Sequence, residues 1–265
     1  MPAGPIRKLS ASGTDPVSYA LPIGNDELPL APLLGRTLRL AFAGEIRCIH
    51  CARATKKSFG RGYCYPCYRS LARCDGCIVK PELCHFAMGT CREPEWAKSH
   101  CMIPHFVYLA NASALKVGIT RAHQATTRWI DQGAAQALPV LRVATRLDSG
   151  LAEVALKAHV SDRTDWRAML RGEPEPVDLA AARDALLERV EAGGARLPGE
   201  RLSDERPVRI RYPVLAYPRT ALSIDLEKTP RVEGTLTGIK GQYLILDTGV
   251  VNVRKYAGYR IEIPD

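Results

Sequence analysis

Four-fifths of this 265-residue chain has no cysteine, because all nine lie between Cys48 and Cys101. Long apolar runs are missing too. Charge interrupts each of them well before it could cross a bilayer, so no membrane association is expected. The opening Met1-Pro-Ala-Gly-Pro5 lacks the apolar core of a secretory signal, which leads to the expectation of a cytoplasmic protein. Acidic residues are scarce where cations are dense: Arg36 to Lys80 holds ten Lys or Arg against only Glu45 and Asp75. What remains is ordinary for a globular chain, with 46% hydrophobic and 25% charged residues, enough for two or three modest domains.

Crowding in Cys-x-x-Cys pairs, an odd count and the missing export signal argue for metal over a disulfide framework. Cys48-Ile-His-Cys51 and Cys64-Tyr-Pro-Cys67 are two such knuckles separated by twelve residues. Each pair of thiolates turns around one ion, and two turns close a four-coordinate shell, the structural form of a zinc site. The second half offers Cys74, Cys77, Cys84, His85, Cys91, His100 and Cys101, more donors than one ion uses. Cys74, Cys77, Cys84 and Cys91 are the expected second shell, with His85, His100 and Cys101 as substitutes, giving about two zinc ions per chain. Two tetrathiolate sites would lower the formal charge of +9 to about +5, and the chain stays basic.

Around the first knuckles Arg53, Lys56, Lys57 and Arg61 alternate with Phe59, Tyr63, Tyr65 and Tyr68. Cations neutralise phosphates and flat rings accept unstacked bases, so Arg53, Lys56, Lys57, Phe59, Arg61 and Tyr63 are candidate DNA or RNA contacts. The plainer alternative is that the rings cover a small zinc core while the charges only solubilise it.

An α+β protein is expected, with five segments: an N-terminal β segment (1–47), a zinc-ribbon-type cysteine module (48–104), a small antiparallel sheet with flanking helices (105–172), a helix and linker (173–205) and a C-terminal β-unit (206–265). The short apolar runs His105 to Ala110 and Leu115 to Thr120, joined by Asn111-Ala-Ser-Ala114, read as a hairpin. Ala125 to Ala134 reads as a helix and Val140 to Thr145 as a strand. A second helix is expected over Gly150 to His159, capped by Asp148 or Ser149, with Leu151, Val154, Ala155 and Ala158 as its apolar stripe. Shorter and longer helices follow over Asp165 to Leu170 and Val177 to Ala192. Asp247-Thr248-Gly249 copies an aspartic-protease triplet, but it stands alone between two strand patterns and reads as a hairpin turn.

The order strand, strand, helix, strand, helix over Phe106 to His159 resembles the GIY-YIG nuclease fold. Phe106-Val107-Tyr108 stands where that family has Gly-Ile-Tyr, and Lys116-Val117-Gly118 where it has Tyr-Ile-Gly, with Arg128 and Glu153 on the two helices. The resemblance implies catalytic roles for Tyr108, Lys116, Gly118, Arg128 and Glu153, and Mg²⁺ or Mn²⁺ on Glu153, in the hydrolysis of phosphodiester bonds. Asp162 or Asp165 could replace the family's late asparagine. The whole chain also resembles an uncharacterised prokaryotic zinc-ribbon family whose cysteines precede a GIY-YIG-like segment, on Gly62-Tyr-Cys-Tyr-Pro-Cys67, Lys80-Pro-Glu-Leu-Cys-His85 and Lys116-Val-Gly-Ile-Thr120. A non-catalytic nucleic-acid adaptor on a nuclease-like scaffold is the alternative reading.

Overall fold

A computed structural model describes residues 2–264. Along the chain, strands β1 (Ala3–Pro5), β2 (Ser10–Ser12), β3 (Ser18–Ile23), β4 (Asp26–Pro29) and β5 (Thr37–Ile46) precede the short helices α1 (Tyr65–Ser70), α2 (Gly76–Val79) and α3 (Pro94–His100). Next come β6 (His105–Asn111), β7 (Leu115–Arg121), α4 (Ala125–Asp131), β8 (Gln136–Val143), α5 (Arg146–Leu156), α6 (Trp166–Arg171) and α7 (Leu179–Ala192). Strands β9 (Glu200–Arg201), β10 (Val208–Arg209), β11 (Arg231–Lys240), β12 (Tyr243–Leu246), β13 (Gly249–Asn252) and β14 (Tyr259–Glu262) complete it. The architecture is α+β, with antiparallel sheets throughout.

Two compact units divide the chain, and neither is continuous in sequence. The first combines 1–69, 170–172 and 210–265. Its main sheet runs β1-β14-β5-β11-β12-β13, so the C-terminal strands do not form a sheet of their own. β5 explains why. Its first half pairs with β11, placing Leu40 opposite Val232, and its second half pairs with β14, placing Phe42 opposite Ile261. Leu38, Leu40, Val232, Leu236 and Ile261 are all buried, and that shared apolar face joins two chain ends that local patterning treats as separate segments. The β12–β13 turn is Asp247-Thr248, where Asp247 accepts from the Thr235 N–H and Thr248 donates to the Glu233 carbonyl. The triplet is thus a hairpin device.

The second unit holds 70–169 and 173–209. The expected cysteine module is therefore split: its first four cysteines follow β5 in the first unit, and its last five lie in the second. The second sheet runs β10-β8-β6-β7, with β9 also on β8, and β6 pairs along its whole length with β7. Val107, Leu109, Val117 and Ile119 alternate onto one face and pack with Ala152 and Leu156 of α5 and Leu179, Leu186, Leu187 and Val190 of α7. The opposite face carries Tyr108, whose ring meets Trp129 of α4 edge-on, 6.0 Å between centroids. Covering on both faces is why β6 reads as a continuous apolar run rather than an alternation.

Two helix expectations change. α5 begins at Arg146, four residues earlier than expected, because Thr145 and Asp148 form a reciprocal capping box. Its buried face is Ser149, Gly150, Ala152 and Leu156, while Leu151 and Val154 are exposed. Small residues, not the large ones, face inward here because other chain comes too close: a Cβ at Gly150 would stand 2.6 Å from the Glu82 nitrogen and from Pro81. α7 starts at Leu179 under an Asp178 cap that accepts from the Ala180 and Ala181 N–H groups, and Gly193-Gly194 end it as expected.

Candidate functional site

Cys48 follows β5 after Arg47, and the chain then turns back through Ala52 at φ 58° and through Gly60, Arg61 and Gly62, all at positive φ, before Cys64. These turns bring Cys48, Cys51, Cys64 and Cys67 together, their sulfurs all within 4.8 Å of one another. The Cys51 and Cys64 sulfurs are 3.7 Å apart. A tetrahedral ion with Zn–S bonds of about 2.3 Å sets its sulfurs about 3.8 Å apart, whereas a disulfide needs about 2.05 Å. No disulfide joins any of the nine cysteines.

The electrostatics fit the same ion. Burial pushes the Cys48 thiol up, but backbone N–H groups of Cys51, Cys64 and His50 outweigh it and bring the thiol down to about 6. Cys67 goes the other way, raised by burial and by the sulfurs of Cys64, Cys51 and Cys48 around it. Four sulfurs at this distance cannot all ionise without a cation among them, and a divalent thiophilic ion supplies one.

The basic and aromatic residues surround this cluster. Arg53, Lys56, Lys57 and Arg61 are exposed, while Phe59 and Tyr63 are half-buried. Phe59 packs edge-on against Tyr65 at 5.3 Å and beside Tyr68 at 5.9 Å, with the Lys57 ammonium 5.6 Å from its ring centre. Phe59 thus lies inside an aromatic packing group, and Tyr65, 54% exposed, is the ring turned to solvent.

In the second unit, β6, β7, α4 and α5 bring together the five residues to which the nuclease resemblance points. Tyr108 is fully buried opposite Gly118, where a Cβ would stand 2.7 Å from the phenol oxygen, so only glycine leaves room for the ring. The phenol donates to Gln132 Oε1 at 2.7 Å and interacts electrostatically with Arg128. Burial raises the Tyr108 pKa, so the group is a neutral phenol. Lys116 is 3% exposed, and burial, reinforced by the Arg128 charge, lowers it to about 8 although Glu153 and Asp162 pull the other way. Glu153 is raised by burial and by Asp162, against Lys157, Arg128 and Arg146.

Asp162 is exposed on the segment after α5, held beside β7 by the Val117 N–H, which donates to the Ser161 carbonyl at 2.8 Å. Asp165 instead accepts from the Arg167 and Ala168 N–H groups at the start of α6. Two cations, two carboxylates and a phenol therefore interact at one place, with Gln132 as a member that no sequence motif marks. It follows α4 one turn beyond Arg128, a spacing that puts both on one helical face.

Residues 35–261 match the family described as "Protein of unknown function (DUF2797)". The chain belongs to this family. No curated protein and no solved structure matches it. The family match takes in both cysteine groups, the buried cluster and the β5–β11–β14 pairing, and leaves out β1 to β4. Among the described residues, no helix is long and apolar enough to cross a membrane.

Proposed function

We propose that this protein is a metal-dependent phosphodiester hydrolase acting on DNA or RNA, with Tyr108, Lys116, Arg128, Glu153 and Asp162 as its reaction centre. The observation that carries the reading is the burial of Lys116 beside Arg128 and Glu153, since burying ionisable groups is costly and such clusters concentrate at reacting sites. Lys116, down to about 8, accepts the proton of the attacking water. Arg128 stabilises charge developing on the phosphoryl oxygens, and the Tyr108 phenol orients that guanidinium. This moves the base role from Tyr108, whose raised pKa makes it a poor proton acceptor, to Lys116.

Glu153 and Asp162 would hold Mg²⁺ or Mn²⁺, whose chemistry when bound is to polarise the phosphoryl group and stabilise the leaving oxygen. The donor set suits such an ion, because Asp162 raises the Glu153 pKa and a cation would relieve that repulsion. The exposed cations around Cys48–Cys67 would supply phosphate contacts. Free thiols throughout suit a reducing compartment such as the cytoplasm.

The burial of Tyr108 and Lys116 favours a second reading, a non-catalytic nucleic-acid adaptor in which the cluster only stabilises the sheet. Incubation of the purified protein with Mg²⁺ or Mn²⁺ and single-stranded, double-stranded, branched and RNA substrates separates the two. The hydrolase reading expects cleavage that Glu153→Ala and Arg128→Ala abolish. No cleavage of any substrate, or cleavage that survives both substitutions, would leave the adaptor.

A further inference from the structure

Five cysteines remain after the first cluster, and they fall in the second unit between Cys74 and Cys101. Four of them, Cys77, Cys84, Cys91 and Cys101, line one small cavity together with Asp75, His85, Ile78, Phe86, Trp96 and Ala97. Its volume is about 20 Å³, room for a single water-sized sphere. Cys74 does not line it.

Other donors nearby are already engaged. Asp75, Cys77 and His85 lie within 4.8 Å of one another. Asp75 caps α2, accepting from the Gly76 N–H at 2.6 Å, and its other oxygen faces Arg92 Nε at 2.8 Å and His85 Nε2 at 3.4 Å. The second ring nitrogen of His85 is 2.7 Å from the Thr90 hydroxyl. His100 stacks on Trp96, with Nδ1 2.9 Å from the Trp96 carbonyl. Asp75 and His85 also line the cavity but are engaged in this way, and His100 stands outside it against Trp96.

The surroundings also carry positive charge. Arg146, the first residue of α5, donates from its backbone to the Cys101 carbonyl at 2.8 Å and from its guanidinium to the Ile78 carbonyl at 2.6 Å. Its Nε is buried with no hydrogen-bond partner. Arg146 and Arg121 both interact electrostatically with Cys101. A cation beside four thiols suits a tetrathiolate metal site, which carries a net charge of −2.

We infer that Cys77, Cys84, Cys91 and Cys101 bind a second structural zinc ion, in place of the Cys74-containing shell that sequence spacing suggests. Each thiol gives its proton to solvent as its sulfur binds, so Zn²⁺ and four thiols give one tetrathiolate site and four protons. The site ties α2, α3 and the Pro81–Leu83 turn to α5: Gly150 abuts Pro81 and Glu82, one turn before Glu153. Its role is to brace the helix that carries Glu153, and this holds whether or not the protein cleaves nucleic acid.

Metal content of the full chain tests the assignment. Protein purified without chelator should hold two zinc ions, and Cys74→Ser should still hold two. His85→Ala and Asp75→Asn should also keep two, whereas Cys101→Ser should hold one. Cobalt replacing zinc reads the shell without a destabilising substitution: the thiolate-to-cobalt absorption should match eight sulfurs per chain in wild type and in Cys74→Ser alike. One zinc in wild type, the loss of an ion in Cys74→Ser, His85→Ala or Asp75→Asn, or an absorption with fewer sulfurs would overturn the assignment.

Discussion

Tyr108 and Gly118 face each other across the β6–β7 pair so closely that a Cβ at position 118 would stand 2.7 Å from the phenol oxygen. The pair fixes where the phenol points, and therefore how Arg128 and Gln132 are held. Gly118→Ala must displace the ring or the strand. Overpacking of this kind costs roughly 1–3 kcal/mol, so calorimetry should show a lower melting temperature. Tyr108→Phe keeps the ring and drops only the hydroxyl. It should stay close to wild-type stability, and any cleavage activity should fall with it.

Loss of the first zinc should reach beyond the cysteines. Apparent binding free energies of structural zinc, about 10–16 kcal/mol, equal or exceed the 5–15 kcal/mol that holds a typical domain together. Cys48 joins β5, and β5 carries β11 and β14. Cys48→Ser should therefore lose one zinc and expose amides in Thr37–Ile46 and in the C-terminal strands to hydrogen exchange, while β6 to β8 stay protected. Exchange confined to the knuckles would contradict this coupling.

Lys116 makes stability and activity depend on pH in defined directions. Its folded pKa of about 8 lies below the ordinary value of 10.5, so between these pH values the unfolded chain binds the extra proton. Stability should rise as pH goes from about 8 to 10.5, and Lys116→Met should flatten that rise and be the more stable protein at pH 7. Denaturant titrations at several pH values measure it. If Lys116 is the base, kcat/KM should climb up to about pH 8 and then level off.

His105 gives the acid counterpart. Fully buried, with Nδ1 2.7 Å from the Ile103 carbonyl, it is lowered by burial to about 4. The unfolded chain protonates first as pH falls from about 6.5 to 4, so stability should drop across that window. His105→Gln should lessen the drop in the same titrations.

The basic surface separates binding from packing. Lys56→Glu with Lys57→Glu should weaken nucleic-acid binding at low salt and flatten its salt dependence, leaving zinc content and melting unchanged. Tyr65→Ala should cost roughly 1–3 kcal/mol on single strands and much less on duplex. Phe59→Ala removes a ring packed between Tyr65 and Tyr68 and should lower the melting temperature instead. Equal affinity in the double lysine variant would leave those charges as a solvated face.

Short-range chemistry was legible from the residues alone. Two Cys-x-x-Cys pairs fold back on one centre because ligand spacing and turn geometry act within some twenty residues, and the hairpin of β6 and β7 follows from two short apolar runs joined by Asn111-Ala-Ser-Ala114. The end of α7 follows from the two glycines for the same reason, whereas its start falls two residues later than expected, at the Asp178 cap. What the tertiary structure alone decided depends on residues brought together from afar. Leu40 meets Val232 and Phe42 meets Ile261 only once the chain ends share a sheet, so no local pattern joins the termini. On α5, hydrophobicity points to Leu151 and Val154, yet the close approach of Pro81 and Glu82 demands glycine at position 150 on the inner face. Likewise Cys101, twenty-four residues from Cys77, lines the same small cavity, which Cys74, three residues away, does not.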